Sequence, residues 1–413
     1  MQDLSKNIHH FDVVIVGGGL VGATQALCLA KSCPQLNIAV VEAFEATQKN
    51  QPSFDDRSIA IAEQSAQYLK KFNLFHESFS YCEAIKTVHV TDKGHFGKAT
   101  ITAKEYQLDA LGYVAEVKPL GHALHKLLDE AENITVFCPD QVMAHRFTQD
   151  LALIELKSGI KLSSALVVVA DGGQSVSRDL LHIDFKKQAY EQSALIANIE
   201  VAGGHNNQAF ERFTQFGPMA LLPMSQNRYS LVWCQSPEKA QNALELTERE
   251  FISQLQTAFG FSAGRFSQVG MRACYSLALG RAERIVQHRV AVIGNAAHLV
   301  HPIAGQGFNL GLRDIQTLVT KIEQAHKNNQ DIGCFEVLRA FELERKKDLD
   351  KVLMLTDGLV RLFSNSSRML ALTRSIGLVS MDLCSDLKQP LAKQLMGKVK
   401  VRLSSDNVEE KVS

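Results

Sequence analysis

Gly17, Gly19 and Gly22 follow directly on the apolar run FDVVIV and open the segment LVGATQALCLAK, whose apolar residues recur at helical spacing. A near-continuous apolar run is how a parallel strand covered on both faces reads. The next segment, NIAVVEA, returns to strand composition, so the chain begins with a βαβ unit. Glycines in this G-x-G-x-x-G pattern let the backbone approach a pyrophosphate at a helix N-terminus, where the dipole favours negative charge. Glu42 stands 20 residues past Gly22, at the end of the second strand. A carboxylate there accepts hydrogen bonds from a ribose and repels a 2′-phosphate, so FAD or NAD is expected in place of NADP. The alternative, a glycine turn that merely packs, is disfavoured by the strand before it and the helix after it.

Two further buried-strand signatures lie far along the chain, in KLSSALVVVADGG and RVAVIGNAAH. Between and around them the sequence is strand-rich: IKTVHVTD, ALIELKSG, IANIEVAG, AFERFTQFG, MALLPMS and RYSLVWC, with one helix expected near 247–259. Residues 57–75 read as helix, and the chain after Gly311 reads chiefly as helix, ending in a polar tail from Ser404 expected to be disordered. The expectation is an α/β protein with a discontinuous Rossmann-like cofactor domain (1–75, 95–185 and 281–330). Interleaved with it is a β-sheet substrate domain (76–94 and 186–280), followed by C-terminal helices over 331–403 and the tail, 404–413.

Composition removes several classes of function. Lys+Arg and Asp+Glu each number 44 in 413 residues, so no long-range field favours nucleic acid as a partner. The eight cysteines are scattered without C-x-x-C pairs or zinc spacing and read as reduced intracellular thiols. The polar start MQDLSKNIHHFD lacks the apolar core of a secretory signal, and no run reaches the roughly 18 apolar residues of a membrane span. A cytoplasmic protein is expected, with peripheral membrane contact left open. His298 and His301, three apart, have no Cys or carboxylate partner at ligand spacing, so no metal is assigned.

ADGGQSVSR, with Asp171, Gly172, Ser175 and Arg178, follows one of the buried strands, and GNAAHLVHPIAGQGFNLGLRD follows the other. With the first glycine motif, and in this order and separation, these segments resemble the FAD-dependent aromatic hydroxylase family, over roughly residues 11–400. The resemblance implies that the first motif holds the FAD diphosphate and that the Asp171–Gly172 motif serves flavin and pyridine nucleotide. It further implies that a late segment, here Asn295, Pro302, Gly305, Gln306, Gly307 and Asn309, holds the ribityl chain and ring edge. Read unaided, Pro302, Gly305, Gly307 and Gly311 strip side chains from a turn that enters a helix, so backbone N–H groups can face an anionic ring edge. The family usually carries Asp where this chain has Asn295, exchanging a charged acceptor for a neutral amide. Arg57, alone a solvated charge at a helix start, matches an arginine near the flavin. Glu116 and Lys118 match a flavin-contacting segment more loosely and read equally well as a solvated helix start. Phe213, Leu221, Pro223 and Trp233 match the sheet that roofs the substrate ring, with plain core as the alternative.

The details of FERFTQFGP, VHVTDKGH and HPIAGQGFNLGLRD are most similar to the ubiquinone-biosynthesis branch, in particular to members that oxidise a 2-polyprenyl-6-methoxyphenol. The resemblance thus implies a monooxygenase in which NAD(P)H reduces FAD and a flavin C4a-hydroperoxide hydroxylates a phenol. No catalytic base is named by the sequence. A prenylated substrate would partition into membranes, so the enzyme touches the bilayer or receives substrate from partner proteins of a biosynthetic complex. Three rival readings stand beside this one. One keeps FAD and changes the reaction to isoprenoid reduction or to halogenation, whose W-x-W-x-I-P signature is absent; a plain NAD dehydrogenase would not need the two later motifs, and a non-catalytic flavin-fold subunit rests on Asn295 alone.

Overall fold

The computed structural model describes residues 8–45, 57–76, 79–94, 97–301 and 305–363, together with 389, 392–393 and 396–397. Pro302, the 404–413 tail and most of the expected C-terminal helices over 331–403 beyond 363 lie outside the described residues.

The opening segment forms β1 (Ile8–Val16), α1 (Leu20–Ser32) and β2 (Ile38–Val41). Residues 57–75, expected as helix, divide into β3 (Ser58–Ala62) and α2 (Glu63–Lys71). The apolar alternation of SIAIA is met by pairing with a later strand, a partner that local periodicity does not reveal. The chain continues through β4 (Cys82–Ile85), β5 (Thr87–Asp92), β6 (Lys98–Thr102), β7 (Gly112–Glu116) and α3 (Val117–Glu130). Next come β8 (Ile134–Phe137), β9 (Val142–Phe147), β10 (Ala152–Leu156), β11 (Lys161–Val169) and the short α4 (Val176–Leu180). A long strand, β12 (Phe185–Ala202), leads into β13 (Gln208–Thr214), β14 (Gly217–Met224) and β15 (Arg228–Gln235). Two helices follow, α5 (Pro237–Glu245) and α6 (Glu248–Phe259). In α6 the Thr247 hydroxyl and Glu250 carboxylate cap each other's backbone, which fixes the helix start. The remaining elements are β16 (Arg265–Val269), β17 (Ala273–Ala282), β18 (Val286–Gln287), β19 (Val290–Val292), β20 (His298–Leu299), α7 (Gln306–Lys327) and α8 (Phe335–Phe363).

Three sheets result. The first runs β18-β19-β11-β1-β2-β8, with the β9–β10 hairpin attached to β11, and its strands β19, β11, β1, β2 and β8 are parallel. Its valines and isoleucines, among them Val13, Val14, Ile15, Val40 and Val168, are fully buried in one core with α1, α3 and α7. The second sheet runs β20-β17-β12-β15-β14-β13-β5-β6, with β16 beside β12. It takes in β6, residues 98–102, from within a stretch that the sequence reading assigned to the cofactor domain. The third sheet, β3-β7-β4, is small and antiparallel.

Strand alternation divides the second sheet between two cores. Leu195, Met219, Leu221, Leu231 and Trp233 pack with Phe251, Leu255 and Phe259 of α6. Val88, Val90, Phe213, Met224, Leu222 and Tyr190 lie in a separate cluster that Ala392 and Met396 join. The sheet therefore has one helix-backed face and one that is not covered by α6.

The His145 imidazole is half-buried on β9 with neither ring nitrogen hydrogen-bonded among the described residues, and burial pushes its pKa down to about 4. The unfolded chain takes up that proton near pH 6.5 while the folded state excludes it. Stability is therefore complete above about pH 6.5 and falls as pH drops towards 4. The expectation is that His145→Phe flattens this acid limb in urea titrations at pH 7 and pH 5.

Candidate functional site

Parallel pairing sets the site. Val16 is in register with Val41 on one side and with Val169 on the other, and Val169 with Val292. Four strands thus end at one level, and Gly17, Glu42, Asp171 and Gly294 emerge together from the carboxyl edge of the sheet. That edge is where open α/β sheets bind ligands.

At this edge the three glycine-rich segments meet. Gly17 has φ +100°, and a Cβ there would sit 2.6 Å from the Ala170 carbonyl oxygen and 2.8 Å from Asp171 Cα. A Cβ on Gly22 would lie 1.8 Å from the Gly17 carbonyl oxygen. The loop is closed tightly enough that only glycine fits at either position. Val21, in the first turn of α1, fills the space that Cβ atoms on Gly294 and Gly311 would need, at 3.0 and 2.9 Å. At Gly305, which caps α7 with φ +60°, a Cβ would reach 2.6 Å from Ala60 Cβ on β3.

Polar side chains lock these approaches. Glu42 is buried and accepts hydrogen bonds from the backbone N–H groups of Gly18 and Phe44 (3.0 Å). It therefore shapes the glycine loop itself, and its remaining lone pairs are what a ribose could use. His125 on α3 donates through Nε2 to the Gly18 carbonyl at 2.7 Å. Arg178, buried beneath the Asp171–Gly172 turn, donates to the Ala296 carbonyl at 3.2 Å and stacks on Phe185 at 4.2 Å. Ser175 caps α4 by accepting from Arg178 N. Asn309 accepts from Ala62 N (2.9 Å) and donates to the carbonyls of Ala60 and Gly305 (both 2.8 Å), tying α7 to β3. Its amide is engaged by the protein's own backbone.

Asp314 is the buried anchor of the late segment. One oxygen accepts from Gly294 N (2.9 Å) and His298 Nε2 (2.7 Å), the other from Arg345 Nε (2.6 Å). Burial alone would raise its pKa, but neighbouring His298 and Arg345 and the hydrogen bonds from His298 and Gly294 outweigh this and hold it below the usual carboxylate range. Arg345 also pairs with Asp348 of its own helix at 2.8 Å, and Asp348 in turn with Arg313 of α7 at 3.2 Å, so α8 is latched to α7 and, through Asp314, to the turn that carries Asn295.

The predicted residues fall into distinct places. Gly17, Gly19, Gly22, Glu42, Asp171, Gly172 and Asn295 lie at the carboxyl edge of the first sheet, with Asn295 exposed. Gly305, Gln306 and Gly307 form the cap and first turn of α7. Arg57 precedes β3, and its guanidinium lies 5.3 Å over the Tyr275 ring of β17. Glu116 ends β7 and accepts from Ser225 Oγ (2.8 Å) and Arg228 (2.9 Å), bridging to the β14–β15 turn, while Lys118 is exposed at the start of α3. His298 and His301 have different partners, Asp314 and Gln192 respectively.

The pocket expectation needs correction. Leu221 and Trp233 belong to the α6-backed core, Trp233 with its ring centroid 6.3 Å from that of Phe251. Pro223 alternates with Leu222 and Met224 and pairs with Tyr229 of the same core, so it shares their face. Of the four, Phe213 alone lies on the other face. The strands were legible but their facing was not, because α5 and α6 cover the side that the sequence reading turned towards the substrate. His125 and Asp314 carry no site signal in the sequence, since each acts on a backbone carbonyl or N–H remote along the chain.

These residues fit FAD. Asp171 accepts from Ser177 N (2.9 Å) with one oxygen, while the other is buried without a hydrogen-bond partner among the described residues. Cβ positions at Gly172 and Gly307 meet nothing within 4 Å, so both segments present bare backbone to open space. A polyhydroxylated, diphosphate-linked chain supplies what this edge lacks: donors for the carboxylate and charge for the N-terminus of α1.

The glycine-lined carboxyl edge of the parallel sheet and the sheet that follows it in the chain belong to an FAD-dependent monooxygenase. The FAD binding domain family matches residues 10–347, and the chain belongs to that family, in its aromatic-hydroxylase, ubiquinone-biosynthesis branch. It is 33% identical over 395 residues to the ubiquinone hydroxylase UbiL of Rhodospirillum rubrum, covering 94% of this chain and 90% of that one. It is 30% identical to the human mitochondrial ubiquinone biosynthesis monooxygenase COQ6, covering 92% and 91%. The fold is shared with p-nitrophenol 4-monooxygenase PnpA of Pseudomonas putida (TM-score 0.76, 16% identity, 95% and 100% covered). It is shared too with Pseudomonas aeruginosa PqsL (TM-score 0.74, 20% identity, 90% and 100% covered).

Two substitutions test the site. Gly22→Ala forces a backbone atom to move and is expected to weaken FAD retention at least about tenfold, read from the visible flavin absorbance after gel filtration. Asp314→Asn removes the buried charge that Arg345 and His298 share, leaving Arg345 only Asp348, and is expected to cost about 3 kcal/mol in urea unfolding.

Proposed function

We propose that this monooxygenase hydroxylates the aromatic ring of a polyprenylated phenol in ubiquinone biosynthesis, with 2-polyprenyl-6-methoxyphenol as the specific substrate. The reading is carried by one observation: the face of the second sheet that α6 leaves uncovered meets the late glycine segment, with the Tyr190 ring 5.2 Å from that of His301. Tyr190, Leu222 and Phe213 share the cluster on that face, and the substrate ring is assigned to the side of it that meets the Gly305–Gly307 turn. The names of the two relatives support the pathway.

When bound, FAD supplies the redox chemistry: electrons from NAD(P)H and one atom of dioxygen convert a ring C–H to C–OH, and the second atom leaves as water. The chain binds the dinucleotide at the sheet edge, presents the ring and keeps bulk water out. A polyprenyl tail adds roughly 0.8 kcal/mol of transfer free energy per buried CH₂, so such a substrate resides in membranes. No helix among the described residues is long and apolar enough to cross one. Peripheral contact from the cytoplasmic side, or delivery within a complex of biosynthetic proteins, would bring enzyme and substrate together.

Mass spectrometry of quinone precursors in cells lacking the protein tests this. The expected result is build-up of the polyprenyl methoxyphenol. Accumulation of a different ring intermediate would move the assignment to another hydroxylation of the pathway.

A further inference from the structure

His301 is fully buried between the late glycine segment and the second sheet. Its Nε2 lies 3.2 Å from the Gln192 amide oxygen and 4.0 Å from Cys234 Sγ, and the Tyr190 ring meets it edge-on. Because an amide oxygen only accepts, Nε2 carries the proton and Nδ1 is a bare acceptor. Nδ1 is buried with no hydrogen-bond partner among the described residues. An acceptor buried in this way is costly in a purely structural role, and one kept at the meeting point of the two sheets implies a donor that arrives from outside the chain.

We propose that His301 Nδ1 accepts the hydrogen bond of the substrate's ring hydroxyl and thereby fixes which edge of the ring faces the flavin. This rests on the hydroxylase reading above. Gln192 is the positioning residue, holding the tautomer that leaves Nδ1 free. Burial pushes the pKa of His301 down to about 4, so the ring stays neutral near pH 7 and does not become an imidazolium that would offer a second donor in place of the acceptor. Accepting from the hydroxyl shifts electron density onto the phenol oxygen and into the ring, at the carbons where an electrophilic oxygen atom adds.

The test compares 2-prenyl-6-methoxyphenol bearing a single isopentenyl tail with the methyl ether of its ring hydroxyl, which has no O–H to donate. Binding to the flavin-loaded protein is read from perturbation of the flavin absorbance, without turnover. The wild-type protein is expected to prefer the phenol by about tenfold or more. His301→Leu should reduce the preference to about twofold or less, and His301→Asn, which retains an amide acceptor, should restore part of it. A wild-type preference that survives intact in flavin-loaded His301→Leu overturns the proposal. Should that variant not load flavin, Gln192→Leu decides: a reduced preference supports the contact and an unchanged one overturns it. Hydroxylated product is measured in parallel, and its absence in wild-type reactions counts against the hydroxylase reading while the binding ratio still judges His301.

Discussion

The site depends on the register of the parallel strands. Because Val16, Val41, Val169 and Val292 end at one level, residues separated by up to 277 positions, Gly17 to Gly294, leave the sheet side by side. Hydrophobic burial of the strands is the cause: both faces are covered, and a slip would draw the turn residues that follow the apolar runs, Glu42 and Asp171 among them, into the sheet. The chemistry at the edge is inherited from packing inside the sheet.

Register brings the segments near one another, and a second set of interactions brings them into contact. Gly22 touches the Gly17 carbonyl, Val21 fills the hollows of Gly294 and Gly311, and Arg178 and Asp314 bind backbone atoms of the late turn. The buried Asp314–Arg345 pair is weak evidence for net stability, because desolvation offsets much of the attraction. Its value lies in geometry: with His298 it fixes the turn after β19 against α7 and so sets where Asn295 and Gly305 stand relative to one another.

Much of this was legible in the sequence, and the limits follow from range. The glycine motifs were readable because one tight turn imposes its demand on neighbouring residues, and the buried strands because their apolar runs are local. The strand at 58–62 is not legible locally because its partners lie 50 to 58 residues away in β7. Trp233 and Leu221 fall to the core alternative, because alternation gives two faces without saying which one a helix will cover. Glu42 and Asn309 were read as reaching towards a ligand, and the structure shows their polar atoms largely engaged by the protein's own backbone.

All of this requires that a single dinucleotide lie along the carboxyl edge of the first sheet, touched by all three glycine segments. A crystal structure with FAD bound measures this directly. The diphosphate is expected at Gly17–Gly22, the ribityl chain between Asp171 and Asn295, and the ring system between Gly305–Gly307 and the Tyr190–His301 face. Electron density for FAD that contacts only one of these segments, or that lies on the α6 side of the second sheet, would contradict it.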